Sequence, residues 1–202
     1  MQYKAILHQQ ITGGNMKKFF MVFLMVISVM TVFGQQAQQA PQTKQEPLPN
    51  TQVMEKEGTP VWLAYLEFTG PYENMGKAIP QFMKEFMGQG LKPQGMLYCL
   101  YFNVPGPKIK PEELKWAYAF PVEKDAVVKE PLKKYEINTK MIFYSIHNGP
   151  YSGLAETMTN TFKIFNSKNY KVIWPVYNIF YNSPGEVKPE ELKTEIGLPF
   201  DK

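Results

Sequence analysis

Few side chains in this 202-residue chain have both the type and the setting for chemistry. Glu195 stands in the apolar run Thr194-Glu195-Ile196-Gly197-Leu198-Pro199. Strand alternation puts Glu195 and Gly197 on one face of that run and Ile196 and Leu198 on the other. A carboxylate placed so could pair with a cationic ligand or serve as a general base; a solvated or lysine-paired strand glutamate is the plainer alternative. The preceding run carries Trp174, Val176, Asn178 and Phe180 at alternate positions, and these are assigned to the same face as Glu195. Leu97, Cys99 and Tyr101 are their counterparts earlier in the chain, with Ala117 and Ala119 matching Glu195 and Gly197. Aromatic walls over small residues suit a planar ligand through stacking and cation–π contact, and ordinary core packing is the alternative for each residue. His147 precedes a Gly-Pro turn, where a lone histidine reads as structural although haem ligation has to be considered; His8 lies far upstream. No histidine or acid pair has metal-ligand spacing, so neither a metal nor a cofactor is expected. A nucleophile elbow and a phosphate loop are absent.

The elements that must position these residues show themselves through an internal repeat. Gly70-Pro71-Tyr72 recurs as Gly149-Pro150-Tyr151, an offset that also aligns Tyr98 with Tyr177, Asn103 with Asn182, and Pro105-Gly106 with Pro184-Gly185. One residue of slippage aligns the Lys-Pro-Glu-Glu-Leu-Lys segments that begin at Lys110 and Lys188. In each copy a strand (61–68, 141–147) runs into the Gly-Pro-Tyr turn and then a helix. Met75, Ala78, Ile79, Phe82, Met83 and Phe86 have helical spacing in the first copy, as do Leu154, Met158, Phe162 and Phe165 in the second. Pro80 should kink the first helix or mark a late start. Two strands follow in each copy, 96–103 with 116–120 and 173–181 with 194–198, joined by a Pro-Glu-Glu-Leu turn with proline first and acids near its positive end. The predicted fold is α+β: a tandem duplication of a β-α-β-β module over 59–122 and 140–200, pseudo-two-fold, with antiparallel sheets, helices on one face and a central ligand groove on the other.

The two Gly-Pro-Tyr turns, the two Pro-Glu-Glu-Leu segments and the closing Thr194-to-Pro199 run resemble the GyrI-like small-molecule-binding domain, which is also the effector-binding domain of AraC-type and MerR-type transcription activators. The resemblance covers about residues 59–202. It implies two β-α-β-β modules around a groove for small, often aromatic or cationic molecules, and some relatives hydrolyse strained electrophiles. Many relatives carry a glutamate where Asn178 stands and often an aspartate where Ala117 stands. That departure disfavours hydrolysis and strong cation binding, and favours a neutral or weakly cationic ligand.

Composition bounds the partners. There is no arginine, and removing the first 34 residues leaves 19 lysines against 18 acids. A near-neutral chain without the planar guanidinium fork is a poor nucleic-acid binder. Cys99 is the only cysteine, which excludes an internal disulfide; its apolar surroundings suggest a buried small hydrophobe. Lys17-Lys18, an apolar run over 19–30 and Val32-Phe33-Gly34 have the pattern of a secretory signal over 16–34, cleaved after Gly34. The run is short for a membrane span, so no membrane contact is expected after cleavage. Residues 1–15 fit no pattern, and Met16 reads as the true start. Residues 35–58, rich in Gln, Pro and Lys, read as a flexible tether.

The sequence therefore predicts an exported, periplasmic or secreted small-molecule-binding protein, its groove formed by Glu195, Asn178, Trp174, Phe180, Tyr101, Ala117 and Gly197. A groove hydrolase using Glu195 with Tyr101 or Trp174, and a structural or partner-binding module without ligand, are the alternatives.

Overall fold

A computed structural model describes residues 50–201. The N-terminal extension, the signal segment and the tether as far as residue 49 lie outside the described residues. The elements run β1 (Val53–Glu57), β2 (Val61–Thr69), α1 (Met75–Gly88), β3 (Leu97–Tyr101), β4 (Lys115–Pro121), β5 (Lys133–Ile137), β6 (Met141–Asn148), α2 (Leu154–Ser167), β7 (Lys171–Val172), β8 (Val176–Phe180) and β9 (Lys193–Asp201). All the strands join one antiparallel sheet in the order β1-β6-β9-β8-β3-β4-β2-β5, with β7 paired to β9. At the centre β3 pairs with β8, Leu97 opposite Phe180 and Tyr101 opposite Val176.

The outer strands change partners. β1 leads directly into β2 yet pairs with β6, while β5 leads directly into β6 yet pairs with β2. Each half of the sheet is thus completed by a strand that precedes the other half. Val53–Glu57, read from sequence as tether, is a strand in register with Ser145 through Met141. Its sequence Val-Met-Glu-Lys-Glu is charged and short, as suits a strand at a sheet edge, so it lacks the apolar alternation that marks a covered strand. β5, Lys-Lys-Tyr-Glu-Ile, escaped the sequence reading for the same reason.

The Gly-Pro-Tyr turns act together with the Pro-Glu-Glu-Leu turns. Gly70 and Gly149 adopt φ of 128° and 119°, a region that side-chain-bearing residues rarely adopt, and donate their N–H groups to Leu114 O and Leu192 O at 2.9 Å. Tyr72 donates its hydroxyl to Asn103 O at 2.9 Å. Asn103 accepts from Lys115 N at 2.7 Å and donates to Glu113 O at 3.0 Å; Asn182 makes the matching bonds to Lys193 N and Glu191 O, both at 2.9 Å. The motifs most visible in the sequence are therefore a latch that ties each helix entry to the strand behind it.

Two apolar clusters divide the interior. One draws buried residues from both helices (Ala78, Phe82 and Phe86 of α1, Ile164 and Phe165 of α2) together with strand residues such as Trp116, Tyr118, Ile196 and Leu198. Ala78, Phe82 and Phe86 fall four apart and form a single helical stripe. Pro80 sits inside α1, which begins at Met75 without the late start that the proline suggested. Every buried residue of the second cluster lies on a strand, among them Leu63, Leu100, Ala117, Ala119, Ile142, Tyr177 and Ile179.

Candidate functional site

Residues directly opposite one another in an antiparallel ladder share a face of the sheet. Glu195 lies opposite Ile146 of β6 and Ile179 of β8, and Gly197 lies opposite Tyr144 and Tyr177. Leu100 lies opposite both Tyr177 and Ala117, and Tyr98 opposite both Ile179 and Ala119. One continuous strand-only face therefore runs across both halves of the sheet, and Glu195 sits near its middle.

Glu195 is 1% exposed. A carboxylate so buried must be paired and hydrogen-bonded. Lys56 of β1 places Nζ 2.7 Å from Oε1 and 2.8 Å from Oε2, and Tyr181 donates its hydroxyl to Oε2 at 2.7 Å. The Lys56 ammonium also stands 4.6 Å from the centre of the Tyr144 ring. The lysine-paired reading of Glu195 thus holds, in a buried rather than a solvated setting.

Tyrosine rings surround this pair. Tyr177 crosses the backbone of Gly197, and Tyr98 lies 5.5 Å from Tyr177, ring centre to ring centre, at 51°. Burial, with the Glu195 carboxylate second, pushes the Tyr98 hydroxyl up to about 12. Burial also raises Tyr177 and Tyr181, helped in Tyr181 by its hydrogen bond to Glu195. All three remain neutral hydroxyls at physiological pH. Further along the face Tyr65 meets Phe102 at 5.9 Å, beside Ala119 and Ala117. Aromatic walls, a floor of alanine and glycine, and one charge-compensated carboxylate can hold a planar molecule by stacking and orient it with hydroxyl donors.

The structure places Glu195, Gly197 and Ala117 on this face. Tyr101, Asn178 and Phe180 lie on the opposite one, which corrects the face assigned to them from alternation. Asn178 is buried and donates to the Tyr101 hydroxyl at 2.8 Å, and Tyr101 and Phe180 pack in the cluster that includes the helices. Val176, Leu97 and Cys99 share that side. The alternation misled because Leu-Tyr-Cys-Leu-Tyr and Val-Tyr-Asn-Ile-Phe are apolar on both faces, so nothing in either strand says which parity faces the helices. Trp174 lies outside β8 and stacks on Phe162 of α2 at 6.4 Å. Sequence reasoning missed Lys56, Tyr98, Tyr144, Tyr177 and Tyr181. A signal for the tyrosines was present: Tyr98 and Tyr177, and Tyr65 and Tyr144, stand at the same spacing as the two Gly-Pro-Tyr turns.

His147 has partners at both ring nitrogens, Thr157 Oγ1 at 2.8 Å from Nδ1 and Pro150 O at 3.0 Å from Nε2, which fits its structural reading. It borders a shallow depression of about 430 Å³ lined by polar side chains such as Asn50, Gln52, Glu156 and Asn160. That depression has no aromatic lining and is a weaker ligand site than the tyrosine face. Cys99 is fully buried, and burial pushes its thiol up to about 12, so it behaves as a small hydrophobe.

The fold is a curled antiparallel sheet, a half-barrel, with two helices. The chain belongs to the GyrI-like family, whose description, GyrI-like small molecule binding domain, matches residues 51–201. The C-terminal domain of EcmrR is similar in structure, with a TM-score of 0.66 at 19% identity over 76% of this chain and 99% of that one. A hydrolase from Listeria innocua matches with a TM-score of 0.52 at 13% identity, over 76% and 93% of the two chains. SAV2435 bound to tetraphenylphosphonium matches with a TM-score of 0.52 at 12% identity, over 74% and 95%. At these identities the likeness carries the fold alone. No curated protein matches the chain.

Proposed function

We propose that this protein binds a small aromatic molecule, neutral or weakly cationic, in a groove on the strand-only face, between two β-α-β-β segments that are copies of one module with their helices on the far side. One observation carries the reading: a buried carboxylate, already matched by Lys56 and Tyr181, stands among tyrosine rings on the face that receives no helix residue. Stacking surface is abundant there, while the net charge of the pair is zero. The bound tetraphenylphosphonium of SAV2435 supports an aromatic ligand for this fold. The signal pattern over 16–34 supports export, with the ligand met in the periplasm or outside the cell.

Hydrolysis is the second reading, favoured by the hydrolase of similar fold. It would require Glu195 to exchange Lys56 or Tyr181 for a water, and the aromatic partners first considered for it, Tyr101 and Trp174, do not share its face. Binding without turnover fits the bond pattern better.

The test is thermal stability of the protein against a panel of aromatic compounds, neutral and cationic, including tetraphenylphosphonium. A ligand selective for the folded state stabilises by about 2.7 kcal/mol at a hundredfold excess over its dissociation constant. A shift reduced in Tyr98→Ala supports the groove. A panel without any shift, or shifts indifferent to Tyr98→Ala, rejects it. Fractionation and N-terminal sequencing of the protein from its cells test export; retention in the cytoplasm with residues 16–34 intact would reject that part.

A further inference from the structure

We propose that Lys56 determines the ligand specificity of this groove: its ammonium occupies the position an organic cation would take, and it acts as a tethered competitor against cationic ligands. The inference rests on the groove reading and goes beyond it by assigning a charge preference to the site and a residue that sets it.

The geometry around Nζ is that of a recognised cation. Both carboxylate oxygens of Glu195 lie within 2.8 Å, and the face of Tyr144 lies 4.6 Å from Nζ. A carboxylate and an aromatic face in a partly dry setting are the elements with which proteins bind ammonium groups. Here the ammonium comes from the chain itself, reaching across from β1 to a residue 139 positions away. A second cation entering the same position would meet a charge already compensated, and would have to move Lys56 aside. That movement is open to it, because the Lys56 side chain is 39% exposed whereas that of Glu195 is 2% exposed.

The other half of the sheet shows the charges as a matched pair. Lys56 lies opposite Ile142, and Tyr135 lies opposite Leu63, the residue of β2 that corresponds to Ile142 in the repeat. Glu195 lies opposite Ile179 in β8, and Ala117 lies opposite Leu100, which corresponds to Ile179. At related positions one half therefore carries Lys56 with Glu195, and the other Tyr135 with Ala117. At these two positions the other half has neither charge; the ion pair it does hold on this face, Lys133 with Glu67 at 3.0 Å, is exposed and stands at different positions, so the buried pair belongs to one half alone. A tethered group competes at an effective concentration on the order of millimolar or more, so a cation has to outbind it, while an uncharged ring system needs only the tyrosine walls.

The experiment compares a size-matched pair of probes, the cation methyltriphenylphosphonium and the neutral triphenylphosphine oxide, by titration calorimetry on the full chain and on Lys56→Met, Glu195→Gln and the double variant. Lys56→Met should bind the cation about tenfold or more tightly than the wild type does, with the neutral probe changed by no more than about threefold, and the double variant should lose the gain. Equal cation affinity in wild type and Lys56→Met, with the neutral probe bound by both, overturns the role of Lys56 and leaves the groove standing. An equal gain for both probes also overturns it, since that reports only added space. If no variant binds either probe, the groove reading falls and this proposal with it. Should Lys56→Met fail to fold, lysine labelling by reductive methylation of the wild type decides: saturating cation should raise modification of Lys56 severalfold relative to the other lysines, and unchanged labelling with the cation bound overturns displacement.

Discussion

Gly197 lies beneath the ring of Tyr177, so close that a Cβ at position 197 would stand 2.2 Å from Cε2 and 2.3 Å from Cζ of that ring. The two residues face each other across the β8–β9 ladder. The missing side chain on one strand is what lets the ring on the other lie down across the sheet, where it can form a wall for a ligand. Gly197→Ala should therefore displace Tyr177, lower stability by about 1–3 kcal/mol through overpacking and weaken ligand binding. In a Tyr177→Ala background the same substitution should be nearly neutral for stability. Denaturant melts of the four proteins check this, and an equal cost in both backgrounds would show that the ring is not what the glycine accommodates.

Asn178 and Tyr98 lie on opposite faces of the sheet, so their substitutions should separate stability from binding. Asn178→Ala leaves the buried Tyr101 hydroxyl without its donor and should cost about 1–3 kcal/mol, with little change in ligand affinity. Tyr98→Ala removes a stacking wall worth about 0.5–1.5 kcal/mol, a roughly threefold to tenfold loss of affinity for a planar ligand. A large affinity loss in Asn178→Ala without loss of stability would return that residue to the site.

Alkaline pH should destabilise the protein through its buried phenols and thiol, Tyr98 and Cys99 among them. Tyr98 is raised from 10.0 to about 12, and Cys99 from 9.0 to about 12, burial being the first cause in each. The folded state holds these protons to higher pH than the unfolded chain does. Their contribution is therefore complete below pH 9 for the thiol and below pH 10 for the phenol, and is lost as pH rises towards 12. Melts between pH 8 and pH 12 should show a stability slope that flattens in Tyr98→Phe and in Cys99→Ala. Variants as steep as the wild type would contradict the assignment.

Asn103 and Asn182 hold the two latches, and their substitutions should resemble each other. Each makes two bonds to exposed backbone, so Asn103→Ala and Asn182→Ala should each lower stability by about 1 kcal/mol and leave ligand affinity unchanged. A clear loss of affinity in either, measured by calorimetry, would tie the latch to the site.

The sequence by itself determined much of the frame: the strand–turn–helix order, the latch residues Gly70, Asn103 and Glu113 with their counterparts, and the family. These depend on local chemistry, a glycine φ, a proline at a turn and side chains bonding nearby backbone, and local chemistry is written in short motifs. It also marked Glu195, because an acid inside an apolar strand stands out. Only the tertiary structure decided what Glu195 faces. Lys56 comes to it through the exchange of β1 onto β6, a pairing between residues far apart in the chain that no local pattern records. The tyrosine walls depended on the parity of β3 and β8, strands apolar on both sides, for which the only arbiter is which side the helices cover.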